Sequence, residues 1–269
     1  MADFRSILIA GYGAMTGAML EGWLVSGITP GTFTAYGPRA KTVPDGVRFT
    51  AQVPDGSFDA IVLGFKPQML ADAALPLESL AGPDATVISV LAGVELASLA
   101  RHFPQAGGVV RLMPNLAAAI GKSPNALVAT GLDDERRIAV TDLAERLGSA
   151  EWLADEGQFE LVTALAGSGP GFVYRFIDAL AAAATRLGLE ADQAERLAVQ
   201  MVEGAAALAS AADLSPAELA RKVASPGGMT QKGLDVLDEG EALTRLVTDT
   251  LRAARDRGRE MAAEAREQG

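Results

Sequence analysis

The stretch Ser6-Ile7-Leu8-Ile9-Ala10-Gly11-Tyr12-Gly13-Ala14-Met15-Thr16-Gly17-Ala18 decides the fold. A short apolar run gives way to two glycines one residue apart, then to a helical pattern with Met15, Met19 and Trp23 on one face. That order is a buried strand, a tight turn and a helix. Gly11 permits the turn, Gly13 lets a phosphate approach the backbone, and the helix N-terminus supplies unpaired amides at the positive end of its dipole. The candidate contacts of a dinucleotide in this stretch are Gly11, Tyr12, Gly13, Ala14 and Met15. Thr16 stands where the usual fingerprint has its third glycine, which predicts either a looser approach of helix to strand or a packing adjusted around it. A turn that serves the chain alone, with no ligand, is the competing reading.

Outward from this unit, residues 32–36, 60–64, 86–90, 108–113, 126–129 and 150–153 are further short β-branched runs alternating with helical patterns. Such alternation is the mark of βαβ units in a parallel sheet. Past Asp155 the strand signals stop, and helical periods cover residues 156–166, 171–187, 191–212, 216–223, 228–237 and 241–264. Ser215-Pro216-Ala217-Glu218 reads as a capping box with proline at the first helical position. The chain is therefore an α/β doubly wound, dinucleotide-binding domain over residues 1–155 followed by an all-α domain over residues 156–269. Helices so rich in alanine bury little area by themselves. A second copy packed against them is expected, making the second half a dimerisation domain and the protein a homodimer or an assembly of dimers; a self-sufficient bundle is the alternative.

Composition narrows the chemistry. A net charge of −11 and a pI near 4.7 argue against a nucleic-acid partner, which draws its affinity from clustered Lys and Arg. The absence of cysteine excludes disulfides and thiolate chemistry and fits a reducing cytoplasm. No leader pattern opens the chain and no apolar run approaches the roughly 20 residues needed to cross a bilayer. A cytoplasmic enzyme of a small-molecule substrate, with no membrane partner, is expected. The one histidine, His102, ends a helical segment and reads as a surface or capping residue. Asp133-Asp134-Glu135 suits a helix start better than a metal, and no metal site is expected.

The cofactor leaves further marks. Residues 22–44 contain no acid to hold a ribose 2′-hydroxyl, whereas Tyr36-Gly37-Pro38-Arg39-Ala40-Lys41 follows the second strand with two cations. Arg39 and Lys41 could meet a 2′-phosphate, with Tyr36 and Gly37 beside them, so NADPH is expected and NADH stays open. Two solvated loop residues are the alternative. Strand ends carry Phe65-Lys66-Pro67, Ala92-Gly93 and Arg111-Leu112-Met113-Pro114-Asn115, where the carboxyl edge of a parallel sheet would outline one crevice.

In the helical half, Gly167-Ser168-Gly169-Pro170-Gly171 marks close backbone approach or a helix start. Ser225-Pro226-Gly227-Gly228-Met229-Thr230 is more telling. Ser225 can cap and Pro226 can take the first helical position, leaving the amides of Gly227, Gly228, Met229 and Thr230 to face an anion. An ordinary capped helix gives no reason for two glycines there, each costing about 1 kcal/mol of helix stability.

Together these motifs resemble the pyrroline-5-carboxylate reductase family over essentially the whole chain: Phe65-Lys66-Pro67, Ala92-Gly93-Val94, Arg111 to Asn115, Gly167 to Pro170 and Ser225 to Thr230. The resemblance implies a Rossmann-like domain and a helical domain interlocked with a partner, the active site lying between cofactor domain and dimer helices. It implies that residues 225–230 hold the substrate carboxylate and that the Thr230 hydroxyl, the one catalytic candidate, lies near the imine nitrogen. It also brings Lys222 toward the cofactor and Asp213 toward the substrate. The chain departs from the family pattern at Ala14 and Thr16, at Leu116-Ala117 after Asn115, and in the short segment after the second strand. Reduction of pyrroline-5-carboxylate to proline is the implied activity. A paralogue acting on another cyclic imine or a hydroxy acid, and a non-catalytic dinucleotide sensor, are the rivals.

Overall fold

The computed structural model describes residues 4–268; residues 1–3, which belong to the expectation that no leader is present, lie outside them. The strands are β1 (Ile7–Ala10), β2 (Phe33–Tyr36), β3 (Arg48–Thr50), β4 (Ala60–Leu63), β5 (Thr86–Ser89), β6 (Gly108–Met113), β7 (Ser123–Thr130) and β8 (Gly148–Trp152). The helices are α1 (Ala14–Val25), α2 (Leu70–Ala74), α3 (Leu96–His102), α4 (Asp134–Glu145), α5 (Phe159–Val162), α6 (Gly169–Arg186), α7 (Ala191–Ala211), α8 (Pro216–Val223), α9 (Met229–Asp238) and α10 (Ala242–Gln268). Two compact units emerge. One runs through Ser168 and takes in the chain again from Ala253; the other spans Gly169–Arg252.

The first unit is a single sheet in the order β3-β2-β1-β4-β5-β6-β7-β8. The chain starts at the centre with β1, builds outward through β2 and β3, then returns to β4 on the other side. That reversal is the switch point of a doubly wound sheet. β1, β4 and β5 are buried along their whole length; β1 and β4 accordingly read as unbroken apolar runs, while β5 has Thr86 and Ser89 at its ends. Alternate residues feed two cores: Leu8 and Ala10 face the α2 and α3 side, Ile7 and Ile9 face α1 and α4. On the latter side Trp23 stacks on Phe33 at 5.4 Å and its indole N–H donates to the Leu143 carbonyl at 2.9 Å. Asp133 caps α4 by accepting from the Arg136 N–H.

Three departures from the expected pattern have physical causes. β3 was not anticipated: three residues flanked by turns carry no periodicity, and the strand forms only because it can ladder onto β2 as a short edge. β7 runs antiparallel to β6, whereas every other pair is parallel. Between them lies only the 3₁₀ segment Leu116–Ile120, too short for the crossover that a parallel return requires. The helix expected over 156–166 is broken into a 3₁₀ turn, α5 and the π-helical turn Thr163–Gly167.

Arg111 also differs from expectation. It does not face a crevice but lies buried in β6, 2% exposed. Its guanidinium bonds Glu156 at 2.8 Å and Glu160 at 2.9 Å and lies 3.8 Å above the centre of the Phe159 ring. Glu156 accepts in addition from the Leu96 N–H at 2.8 Å, which satisfies a first-turn amide of α3.

The second unit is entirely helical, with α6 and α7 packed as a pair. The capping box appears as read: Ser215 N–H donates to Glu218 at 2.8 Å, and Glu218 N–H donates to the Ser215 hydroxyl. The Ser215 hydroxyl and amide hold the Glu218 carboxyl below its ordinary range, so this contribution is present near neutral pH and is lost as pH falls through the acid range. Among its described residues only Ala194 and Ala198 are buried, while Tyr174, Leu187, Leu208, Val236 and Leu246 are exposed. Among the described residues no helix is long and apolar enough to cross a membrane.

Replacing Arg111 with Met should destabilise the protein by about 3–5 kcal/mol, because it strands two shielded carboxylates. A denaturant midpoint that barely moves would show the ion pairs to be dispensable.

Candidate functional site

The carboxyl edge of β1, β2 and β4 gathers most of the predicted dinucleotide contacts. The Gly11 N–H donates to the Tyr36 carbonyl at 2.8 Å, and the Gly37 N–H donates to the Thr50 carbonyl. Gly11 has φ +93°, and a Cβ there would stand 2.4 Å from the Phe65 amide nitrogen. Its glycine is therefore demanded by the fold. Gly13 is different: φ is −117°, open to any residue, and a Cβ would meet nothing closer than the Gly64 carbonyl oxygen at 3.9 Å. Neither backbone conformation nor packing asks for a glycine at 13. Free space above a helix N-terminus, beside the first-turn amides of Ala14 and Met15, is what a diphosphate needs.

Thr16 resolves the question its side chain raised. It is 1% exposed, its hydroxyl donates to the Gly11 carbonyl at 2.9 Å and accepts from the Gly13 N–H at 2.9 Å. Room for its methyl comes from Gly64 at the end of β4, where a Cβ would lie 2.1 Å from Thr16 Cγ2. The helix approaches the sheet closely after all. Sequence reading missed this pairing, although a glycine directly after the apolar strand 60–63 was the available signal.

Lys41 reaches back across the loop, its ammonium donating to the Tyr12 carbonyl at 2.5 Å. The structure thus brings one of the two predicted cations onto the glycine turn, while Arg39 is exposed. The Tyr12 phenol is pushed above its ordinary pKa, first by burial and then by the Glu21 carboxylate, so it stays a neutral hydroxyl at working pH. Lys66 is exposed just before the 3₁₀ turn Pro67–Met69.

Farther along the same edge, Pro67, Ala92 and Gly93 line a hollow of about 130 Å³ with His102 and Arg257. It lies on the flank of α2, α3 and α10, and the glycine turn takes no part in it. His102 is the half-buried last residue of α3, and Phe103, not His102, takes the C-cap position. Asn115 follows β6, but its side chain works within the fold: its carbonyl accepts from the Ala117 N–H and its amide donates to the Ala166 carbonyl, both at 2.9 Å.

The remaining predicted residues belong to the helical unit. Asp213 is exposed in the connection from α7 to α8, and Lys222 is exposed in the last turn of α8. The segment from Ser225 corrects its reading as a capped helix start. The Gly228 N–H donates to the Ser225 carbonyl at 2.9 Å and Gly227 has φ +72°, so Ser225-Pro226-Gly227-Gly228 is a type II turn. Proline and glycine satisfy the two central positions of that turn at no strain, whereas glycine inside a helix is costly. Gly228, not Ser225, caps α9, and its own amide is taken. A Cβ at 228 would stand 2.4 Å from the Ser225 hydroxyl oxygen, so this glycine serves the turn. The first turn of α9 can still face an anion with the amides of Met229 and Thr230 and the exposed Thr230 hydroxyl; Met229 itself is 92% exposed.

Comparison with known proteins adds an independent line. Residues 156–261 match the family described as pyrroline-5-carboxylate reductase dimerisation. The chain is 34% identical over 261 residues to pyrroline-5-carboxylate reductase 2 of Bacillus subtilis, covering 91% of this chain and 92% of that one. It superposes on the solved pyrroline-5-carboxylate reductase of Coxiella burnetii with a TM-score of 0.86 at 27% identity, covering 96% and 98% of the two chains. The Plasmodium falciparum pyrroline carboxylate reductase, solved with NADP bound, shares the fold with a TM-score of 0.82 at 22% identity over 96% and 98%.

The two turn glycines should separate under substitution. Gly13→Ala is expected to cost no more than about 1 kcal/mol through poorer capping, yet to abolish dinucleotide binding measured by calorimetry. Gly11→Ala should instead lower the thermal midpoint severely. Dinucleotide affinity unchanged in Gly13→Ala would show that no phosphate sits there.

Proposed function

This chain belongs to the pyrroline-5-carboxylate reductase family, and on that premise we propose that it reduces 1-pyrroline-5-carboxylate to L-proline with NADPH, a step of proline biosynthesis. The observation that carries the reading is the turn and helix start over 225–230, a seat for a carboxylate in a chain matched along nine-tenths of its length to a curated reductase. Residues up to 155 serve the dinucleotide and those from 156 the substrate and the dimer contact; compactness divides the chain after Ser168, so the two divisions concern different properties. The exposed apolar residues of the helical unit are the surface on which a homodimer forms. A cysteine-free chain of this kind suits the cytoplasm.

Bound NADPH supplies the hydride for the imine carbon. The chain's own part is positioning and electrostatics. The amides of Ala14 and Met15 hold the diphosphate, Gly13 gives it room, and Lys41 and Arg39 answer a 2′-phosphate. The amides of Met229 and Thr230 hold the substrate carboxylate, and the Thr230 hydroxyl orients the ring nitrogen, whose proton is present in the iminium or arrives from water. No strong side-chain acid is required, because an iminium accepts hydride without one.

NADPH oxidation on addition of pyrroline-5-carboxylate tests the proposal, with NADH and a six-membered imine as comparisons. No turnover with any cyclic imine would overturn it. Thr230→Ala should lower kcat on the order of tenfold to a hundredfold. Lys41→Ala should raise KM for NADPH about tenfold while leaving KM for NADH alone, since it deletes a charge-assisted contact; equal effects on both would remove Lys41 from the 2′-phosphate site.

A further inference from the structure

We propose that Thr16 is a cofactor-positioning residue, whose hydroxyl fixes the glycine turn in the shape that receives the diphosphate. The proposal rests on the reductase reading above. Thr16 Oγ1 closes a small loop of hydrogen bonds, donating to the Gly11 carbonyl and accepting from the Gly13 N–H, each at 2.9 Å. The Gly11 N–H is already held by the Tyr36 carbonyl at 2.8 Å. Both backbone groups of Gly11 are therefore anchored, and the turn between two glycines, the most mobile residue type, has little freedom left.

Only a hydroxyl can do this, because the position needs a donor and an acceptor on one atom. The methyl keeps it aimed: Thr16 Cγ2 fills the space over Gly64, where any Cβ would lie 2.1 Å away. Ordering the turn in advance removes a cost that a flexible glycine loop would meet on binding. There is an exchange. The Gly13 amide is directed inward to Thr16 and does not point at the ligand, which leaves the amides of Ala14 and Met15 to hold the anion. Thr16 thus acts on cofactor affinity through the turn, with no contact to the reacting atoms.

NADPH affinity measured by fluorescence titration, together with kcat and KM, in Thr16→Val, Thr16→Ala and Thr16→Ser tests this. Loss of the hydroxyl in the Val and Ala variants should raise both Kd and KM for NADPH about tenfold, with kcat at saturating NADPH within about twofold of the parent. Thr16→Ser should restore affinity. A role confined to packing would lower thermal stability and leave Kd alone, and that result overturns the proposal. Ser as weak as Ala overturns it too, because the methyl and not the hydroxyl would then matter. Should the Val variant fail to fold, the Ala and Ser pair decides. NADPH binding by the unaltered protein is the control: its absence falls on the reductase reading as well, whereas its presence with an undisturbed Ala variant falls on this inference alone.

Discussion

The first unit is organised around one buried cation. Arg111 emerges from β6 in the middle of the sheet, where a guanidinium would be intolerable without compensation. Glu156, Glu160 and the face of Phe159 supply that compensation, and all three belong to the segment that carries the chain away from the sheet. Glu156 also takes an amide at the start of α3. A single charge therefore ties β6 to the first turn of α3 and to the segment that leads into the π-helical turn. The C-terminal helix joins the same region: a Cβ on Gly258 would stand 2.7 Å from Glu160 Oε2.

The resulting scaffold explains why so much of the candidate chemistry is done by backbone. The glycine turn gives room, the first turns of α1 and α9 present amides, and the hydroxyl of Thr230 is a neutral group. A hydride transfer to an activated C=N bond asks for placement more than for acid or base. A chain with one histidine at the end of α3 and no cysteine is well matched to such a reaction.

The parts legible in the sequence were those with a strong local period or an unambiguous local chemistry. β1, its turn and α1 could be read directly, as could the capping box at Ser215, because each is specified within a dozen residues. What escaped depended on distant partners. β3 exists only through its ladder to β2, and the direction of β7 follows from the brevity of the link after Asn115. Arg111 looked like a crevice residue because its two carboxylates lie 45 and 49 positions away. Pro226-Gly227 was misjudged for a different reason: proline suits both the first helical position and a turn, and only the positive φ of Gly227 separates the two.

The contact between Thr16 and Gly64 makes the two positions interdependent. Gly64 cannot bear a side chain in any case, since a Cβ there would also stand 2.8 Å from the Gly11 carbonyl oxygen. The gap over β4 is thus imposed by the turn itself, and Thr16 Cγ2 occupies it. With the Thr16 methyl in that room, it is closed to other neighbours. The departure from three glycines is self-consistent: the turn obliges position 64 to lack a side chain, and the void so made houses the residue whose hydroxyl bonds the turn.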